Sequence, residues 1–251
     1  MEVTLLLITL AVVAGLIKGF SGFGLSLVLM SVLFEMGFKS TEFLPILVPL
    51  FVILDAILYF EHRKHLTLDF KESFTIHPTT LMTLFIGTLL GTYLLHIMDT
   101  VYMKLGFAIV VLILLFFLLE KVDTYQMRIP SERENGFFGL GTGLLTGLFT
   151  MNSVPTTLYL MYHQYPKEKY MANLVTFLLF SDIILVSVYL FKDMFTISGF
   201  IISLQLVFLV MVGFGIGIYL RKFVSTKTFK TITILILAAN SLKVFFDYFF
   251  M

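Results

Sequence analysis

The sequence contains no cysteine, and only 13% of its 251 residues are charged. The absence of cysteine excludes disulfide bonds, thiolate metal sites and a cysteine nucleophile. A net charge of +1 excludes a nucleic-acid-binding role that depends on bulk positive charge. Polar stretches are short as well, and the longest covers residues 120–135, which leaves no room for a soluble domain.

Hydrophobic residues are what the sequence has in excess, at 59% of the chain, with a mean hydropathy of +0.99. Soluble domains average roughly half apolar and a quarter charged residues. The runs Val3–Ile17 and Met194–Leu220 carry no charge, and ~20 apolar residues suffice to cross a bilayer. We therefore expect an all-α polytopic membrane protein. No basic segment or A-x-A site follows Met1, so we expect the first hydrophobic segment to be retained.

Eight hydrophobic blocks follow one another along the chain, at residues 3–34, 43–60, 78–98, 102–119, 136–162, 171–191, 195–220 and 231–250. Six of them have the length of one membrane span. The blocks 3–34 and 136–162 are too long for one span, and polar or glycine-rich residues interrupt them at 19–24 and 150–155. Each half-block measures ~18–24 Å as a helix, which is short of the ~30 Å hydrocarbon core. We predict a broken helix pair in each block.

Glycine motifs indicate an internal duplication. The pattern Gly-x3-Gly-x-Tyr-Leu begins at Gly87 and again at Gly213, 126 residues later, and Gly-x3-Gly begins at Gly15 and at Gly143, 128 residues later. The sequence thus predicts two repeats, residues 1–125 and 136–251, each with a broken or re-entrant helix pair plus three transmembrane helices. Duplicated membrane units with interrupted segments at matching places are typical of secondary transporters.

The distribution of lysine and arginine predicts the orientation of the repeats. With Lys18 left out because it lies at the first break, the two sides carry 8 and 8 basic residues if each broken block crosses the membrane once, and 12 and 4 if each block enters and returns. Cytoplasmic loops are enriched in basic residues. We therefore expect inverted repeats in the cell membrane, with both termini outside and residues 61–77, 120–135, 163–170 and 221–230 in the cytoplasm.

The two broken blocks resemble the TauE/SafE family of sulfite-exporter-like permeases. The residues that carry the resemblance are Gly15-x3-Gly19-x2-Gly22-x-Gly24 in the first block and Gly139-x-Gly141-x-Gly143-x3-Gly147, then Asn152-x2-Pro155, in the second. The layout matches over essentially the whole chain. The resemblance implies export or uptake of small sulfur-containing anions such as sulfite, thiosulfate or sulfonates.

The first break supplies one set of candidate substrate-binding residues, Ser21, Gly22 and Gly24. A helix break in a bilayer exposes backbone groups that are tolerated where they line a cavity or are buried in protein, and a half-helix N-terminus suits an anion. Lys18 either lies buried as the counter-charge of the substrate or extends to the headgroups. Gly15 and Gly19 are better explained by close helix packing.

The second break supplies the other set, Thr150, Asn152, Ser153 and Pro155. Asn152 and Ser153 can donate hydrogen bonds to an anion, and Pro155 is tolerated in the first turn of the next half-helix. A capped helix restart without any ligand is the structural alternative. We expect the two breaks to meet near the midplane and to form one anion site.

Asp55 and Asp182 are the acids within predicted spans, and they are 127 residues apart. Intramembrane acids are costly, so they suggest a function, here the coupling of transport to protons. A structural hydrogen bond is the alternative. Their sequence settings do not fit an intramembrane aspartyl protease.

These features together predict a secondary transporter of a small anion that works by alternating access, with no catalytic residue, metal or cofactor. The expected partners are the anionic substrate and the lipid bilayer, with proton coupling and a homodimer left open, and no nucleic acid. A membrane assembly subunit that uses its glycine faces to dock other helices is the alternative function.

Overall fold

The computed structural model describes residues 2–22, 24–35, 39–65, 77–119, 131–162 and 167–224, together with the single residues 228, 235 and 246. Within these ranges the chain is helical and contains no β-strand. The α-helices are α1 Glu2–Ser21, α2 Leu25–Glu35, α3 Ser40–His62, α4 Pro78–Ile97, α5 Thr100–Leu119, α6 Glu132–Phe149, α7 Ser153–Tyr162, α8 Lys167–Phe191 and α9 Ile197–Arg221, and a 3-10 turn covers Arg63–His65.

The helices confirm the predicted all-α membrane architecture. Each of the first seven hydrophobic blocks corresponds to one helix or to one interrupted pair, while the eighth block, 231–250, lies outside the described residues apart from two isolated positions. In the described part of the chain, four helical segments are long and apolar enough to cross a membrane: Ser40–His65, Pro78–Ile97, Glu168–Phe191 and Ile197–Arg221. The protein is therefore a polytopic helical membrane protein.

The two interrupted blocks break at equivalent positions. Helix α1 ends at Ser21 and α6 at Phe149, and the chain becomes helical again at Leu25 and at Ser153. Both pairs of positions are separated by 128 residues, the same spacing as the duplicated Gly-x3-Gly motif. The duplication seen in the sequence thus extends to the ends of the helices.

Local sequence explains where several helices begin. The Ser131 hydroxyl accepts a hydrogen bond from the Glu134 amide at 3.3 Å, and the Glu134 carboxylate accepts one from the Ser131 amide at 2.7 Å, which forms a capping box before α6. Pro78 opens α4, where its missing N–H costs nothing. The Thr196 hydroxyl caps α9 through the amide of Gly199 at 3.1 Å.

Helices α1 and α9 pack closely through glycines on both sides. A methyl group at Gly15 or Gly19 would meet the carbonyl oxygen of Val210 or Phe214. In the other direction, a methyl group at Gly213 or Gly217 would meet the carbonyl oxygen of Val12 or Leu16. Contacting residue numbers rise together, so the two helices run parallel. This confirms packing as the role of these four glycines.

Helices α4 and α6 form a second parallel pair of the same kind. Gly87 and Gly91 contact the backbone at Leu140 and Leu144, and Gly143 and Gly147 contact the backbone at Leu84 and Thr88. Since α6 is the repeat equivalent of α1, and α4 the equivalent of α9, the two pairs have the same composition. Each pair joins a helix of the first half to a helix of the second half.

The chain divides into two compact units that follow this pairing. One contains Met1–Leu50, Thr100–Leu119 and Thr196–Met251, and the other contains Phe51–Asp99 and Glu120–Phe195. Each unit therefore draws on both sequence halves, and the boundary between the units falls within α3. The repeat boundaries at 1–125 and 136–251 remain a prediction about duplication and are different from the boundaries of the compact units.

Helix α7 folds back along α6 in the second unit. The ring of Tyr159 stacks on Phe138 with centroids 4.2 Å apart, and its hydroxyl donates to the Asn135 side-chain oxygen at 3.1 Å. Asn135 lies near the start of α6, whereas α7 begins only after α6 has ended. The second broken block therefore forms a helical hairpin.

Candidate functional site

The first break is a short glycine-containing turn between α1 and α2. Gly22 and Gly24 have φ values of 83° and 92°, in the left-handed region that favours glycine. The Gly22 amide donates to the Lys18 carbonyl at 2.8 Å, which closes the last turn of α1. The predicted break at 19–24 is therefore narrower than expected, because Gly19 to Ser21 are still helical.

Ser21 and Lys18 are both buried in the last turn of α1. The Ser21 hydroxyl donates to the Ile17 carbonyl at 2.7 Å, so its proton is engaged within the helix. In this state the hydroxyl oxygen can accept a hydrogen bond but offers no donor to an anion. Lys18 is only 4% exposed, which fits a buried position for this residue better than an extension to the headgroups.

The second break is built from Thr150, Met151 and Asn152. Thr150 has a φ of 52°, and its amide and that of Met151 donate to Thr146 and Leu145 carbonyls at 2.8 and 3.2 Å. The chain thus leaves α6 through a left-handed residue. Thr150 occupies the position equivalent to Gly22, so the two halves share the backbone conformation and differ in side chain.

Ser153 begins α7 and has a buried hydroxyl. The residue is 3% exposed, and its oxygen has no hydrogen-bond partner in the structure. The first amides of a helix lack intrahelical acceptors, so those of Ser153 and Val154 lie beside this hydroxyl at the positive end of α7. Pro155, in the first turn as predicted, contributes no amide.

Asn152 is held by Asp182. Its side-chain amide donates to one carboxylate oxygen of Asp182 at 2.7 Å, and both residues are buried. The Asn152 carbonyl accepts from the Thr156 hydroxyl at 2.6 Å, which steadies the start of α7. Two residues singled out separately from the sequence, one as a ligand and one as a coupling group, are therefore in direct contact.

Asp55 occupies the position in α3 that corresponds to Asp182 in α8, and it is 1% exposed. Both acids belong to the second compact unit. Ser21, Gly22 and Gly24 belong to the first unit, and Thr150, Asn152, Ser153 and Pro155 to the second.

Arg221 is a buried charged residue that sequence reasoning did not select. It is the last residue of α9 and is 4% exposed, whereas the sequence predicted a cytoplasmic loop at 221–230. The adjacent Lys222 is exposed, so two consecutive cations have different surroundings. The spacing Gly-x3-Gly-x3-Arg places Arg221 on the same helix face as Gly213 and Gly217. This spacing could have indicated from the sequence that Arg221 is buried.

The helices, the interrupted hairpin and the buried polar groups at the breaks define a polytopic membrane protein with interrupted helices. Such interruptions at membrane depth are tolerated only inside protein or at a cavity.

The chain belongs to the sulfite exporter TauE/SafE family, whose model matches residues 7–244. This confirms the resemblance inferred from the glycine clusters and Asn152-x2-Pro155. The family consists of membrane permeases rather than enzymes. Neither the curated proteins nor the solved structures contain a significant match.

Proposed function

We propose that the protein is a secondary transporter that moves a small sulfur-containing anion, such as sulfite, thiosulfate or an organosulfonate, by alternating access. The family match supports the transporter class and the kind of substrate. The interrupted helices support the mechanism, because half-helix ends are the usual substrate contacts in such transporters.

The observation that carries the proposal is the buried, unpartnered Ser153 hydroxyl at the start of α7. A buried hydroxyl without a partner is costly, and an anionic oxygen would accept its proton. The neighbouring amides of Ser153 and Val154 point in the direction that favours negative charge. Thr150 and Pro155 complete the proposed substrate-binding residues of the second break. For the first break we propose Lys18, Gly22, Gly24 and Ser21, where Ser21 would take part only if its hydroxyl released the Ile17 carbonyl.

Asn152 has an oriented amide in this proposal. One amide hydrogen donates to Asp182 at 2.7 Å, and the amide group has a second hydrogen that the anion can use. Binding of the anion to Asn152 would then change the hydrogen bond that Asn152 donates to Asp182. We propose Asp182 and its equivalent Asp55 as the residues that couple transport to protons.

We also propose inverted repeats with both termini outside. The return of α7 along α6 supports this topology, because a second block that returns would give the second half an odd number of crossings. The basic residues support it as well. Of the 12 on the proposed cytoplasmic side, Arg221 is buried, and the remaining 11 still outnumber the 4 on the other side.

The alternative function is an assembly subunit that docks other helices on its glycine faces. It requires glycine faces that are free to bind another protein. The eight glycines of those faces are Gly15, Gly19, Gly87, Gly91, Gly143, Gly147, Gly213 and Gly217, and each contacts the backbone of a helix in the same chain. These faces are therefore covered within the protein.

Ser153→Ala tests the substrate site. We expect this variant to insert and fold but to lose most sulfite and thiosulfate flux in proteoliposomes, and to lose thermal stabilisation by the same anions. Ser203→Ala is the matched control, since Ser203 is a buried serine of α9 whose hydroxyl also lacks a hydrogen-bond partner. Unchanged flux in Ser153→Ala would contradict the site.

Asp55→Asn and Asp182→Asn test coupling. The carboxamide keeps the shape and an acceptor oxygen but cannot take up a proton as a carboxylate does. We expect both variants to lose accumulation driven by a pH gradient while they retain exchange of labelled anion for unlabelled anion. Retained gradient-driven accumulation in both variants would remove these acids from the coupling mechanism.

A further inference from the structure

Two buried cations lie in the first compact unit, Lys18 on α1 and Arg221 on α9. The buried acids of the described residues, Asp55 and Asp182, both belong to the second unit. The only acid of the first unit whose side chain is described is Glu42, which is exposed. Lys18 and Arg221 are therefore the buried charged residues of this unit whose side chains the structure describes.

The parallel packing of α1 and α9 brings the two cations to the first break. A methyl group at Gly217 would lie 2.6 Å from the Phe20 amide nitrogen and 2.9 Å from the Gly19 carbonyl carbon, so Gly217 is level with the turn that contains Lys18. Arg221 follows Gly217 by four residues, about one helical turn or ~6 Å further in the same direction. That distance takes it to the level of Ser21, Gly22 and Gly24.

The position of Arg221 is specific to this half of the chain. With the spacing of 126 residues that relates α9 to α4, the equivalent of Arg221 is Leu95, which is buried and apolar. At the second break the equivalent of Lys18 is Thr146. The duplicated scaffold therefore carries cations at the first break and neutral hydroxyl and amide groups, with an acid, at the second.

We propose that Arg221, together with Lys18, binds the anionic group of the substrate at the first break and selects oxyanions over halides. Guanidinium presents paired N–H donors in a fixed plane, which match two oxygens of a sulfite, thiosulfate or sulfonate group. A halide has a single acceptor atom, so it cannot form two parallel hydrogen bonds to the guanidinium group through two separate oxygens. Lys18 contributes charge without that geometry. The inference rests on the proposed function, because it requires an anionic substrate.

Thermal stabilisation of the detergent-purified protein by sodium thiosulfate, with sodium chloride at equal ionic strength as reference, measures this selectivity. Arg221→Lys keeps the charge and removes the planar donor pair, and Arg221→Gln removes both. We expect the half-saturating thiosulfate concentration to rise at least tenfold in Arg221→Lys and further in Arg221→Gln. Lys222→Gln, which changes the adjacent exposed cation, should match the wild type.

The outcomes separate this inference from the proposed function. If thiosulfate fails to stabilise the wild type, the proposed anion transport itself is wrong. If it stabilises the wild type and both Arg221 variants with the same half-saturating concentration, only the role of Arg221 is wrong. If neither variant yields folded protein in the absence of anion, Arg221 is a structural residue and the inference is overturned.

Discussion

Left-handed backbone is required at both helix breaks, and the two halves meet this requirement with different residues. Gly22 has a φ of 83° and Thr150, at the equivalent position, a φ of 52°. Glycine adopts this region without cost, whereas a β-branched residue is strained there. The Thr150 hydroxyl donates to the Phe149 carbonyl at 2.6 Å, which recovers part of the cost.

Replacement of Thr150 by glycine should therefore stabilise the protein. Relief of the strain outweighs the larger freedom of glycine in the unfolded chain, and we expect a net gain of about 1 kcal/mol. Thermal unfolding in detergent measures the change. Thr142→Gly is the control, because Thr142 lies within α6 and the same replacement there should lower stability. A lower stability of Thr150→Gly would show that the strain is absent.

The contact between Asn152 and Asp182 predicts an energetic coupling between two sites that are 30 residues apart. In a double-mutant cycle of Asn152→Ala and Asp182→Ala, we expect a coupling energy of about 1–3 kcal/mol, because each single replacement removes this hydrogen bond from a buried polar group. The control cycle pairs Asp182→Ala with Asn173→Ala, whose amide donates to the Lys169 backbone at 2.9 Å. Asn173 is ~13 Å along α8 from Asp182, so its coupling energy should be near zero.

Individual residues of the site could be predicted from the sequence, but their contacts could not. Asn152 and Asp182 stand out because polar groups are rare within hydrophobic blocks. Their pairing depends on how the hairpin packs on α8, which no local pattern specifies. Arg221 was misplaced because a basic residue at the end of a hydrophobic run usually marks a loop.

At the scale of helices, glycine spacing predicted the packing faces and left the partners open. The motif at Gly15 and the motif at Gly213 each fit any close-packed helix. The structure pairs them with each other, and pairs the motif at Gly87 with that at Gly143. The distribution of basic residues predicts a block that returns, but it does not specify the contacts of Tyr159 with Asn135 and Phe138 that hold α7 against α6.

Glycine-to-alanine replacements on α6 should separate packing from helix propensity. A methyl group at Gly143 would collide with the Leu84 backbone, while one at Gly141 would meet nothing within 4 Å. We expect Gly143→Ala to lower the free energy of unfolding by about 1–3 kcal/mol through overpacking. Gly141→Ala should be neutral or stabilising. The same stability for both variants would contradict the close approach of α4 and α6.

The comparison can be repeated on α9 with an independent pair. Gly217→Ala would place a methyl group against the Leu16 carbonyl, whereas Gly215 has open space. We expect the former to destabilise and the latter to be tolerated, by thermal unfolding in detergent. A loss confined to one of the two helix pairs would show that the pairs differ in tightness despite their matching composition.

At the scale of the whole molecule, the two duplicated halves pack on each other, which the repeat spacing alone does not predict. Each parallel helix pair takes one helix from the first half and one from the second, so neither half can bury its glycine faces by itself. The two repeats therefore pack on each other through two helix pairs, α1 with α9 and α4 with α6. Hydrophobicity predicts the number of blocks. It does not predict that each close-packed helix pair combines one helix from each half, which only the structure shows.

The proposed inverted topology makes a prediction about three loops. Because the chain has no native cysteine, His65→Cys, Lys167→Cys and Lys192→Cys each carry a single thiol. With inverted repeats, an impermeant maleimide added to intact cells should label position 192 alone, and positions 65 and 167 only after permeabilisation. If each broken block crossed the membrane once, positions 65 and 192 would share one side and 167 the other. Labelling of 65 together with 192 would therefore refute the inverted arrangement, provided that each variant still transports thiosulfate.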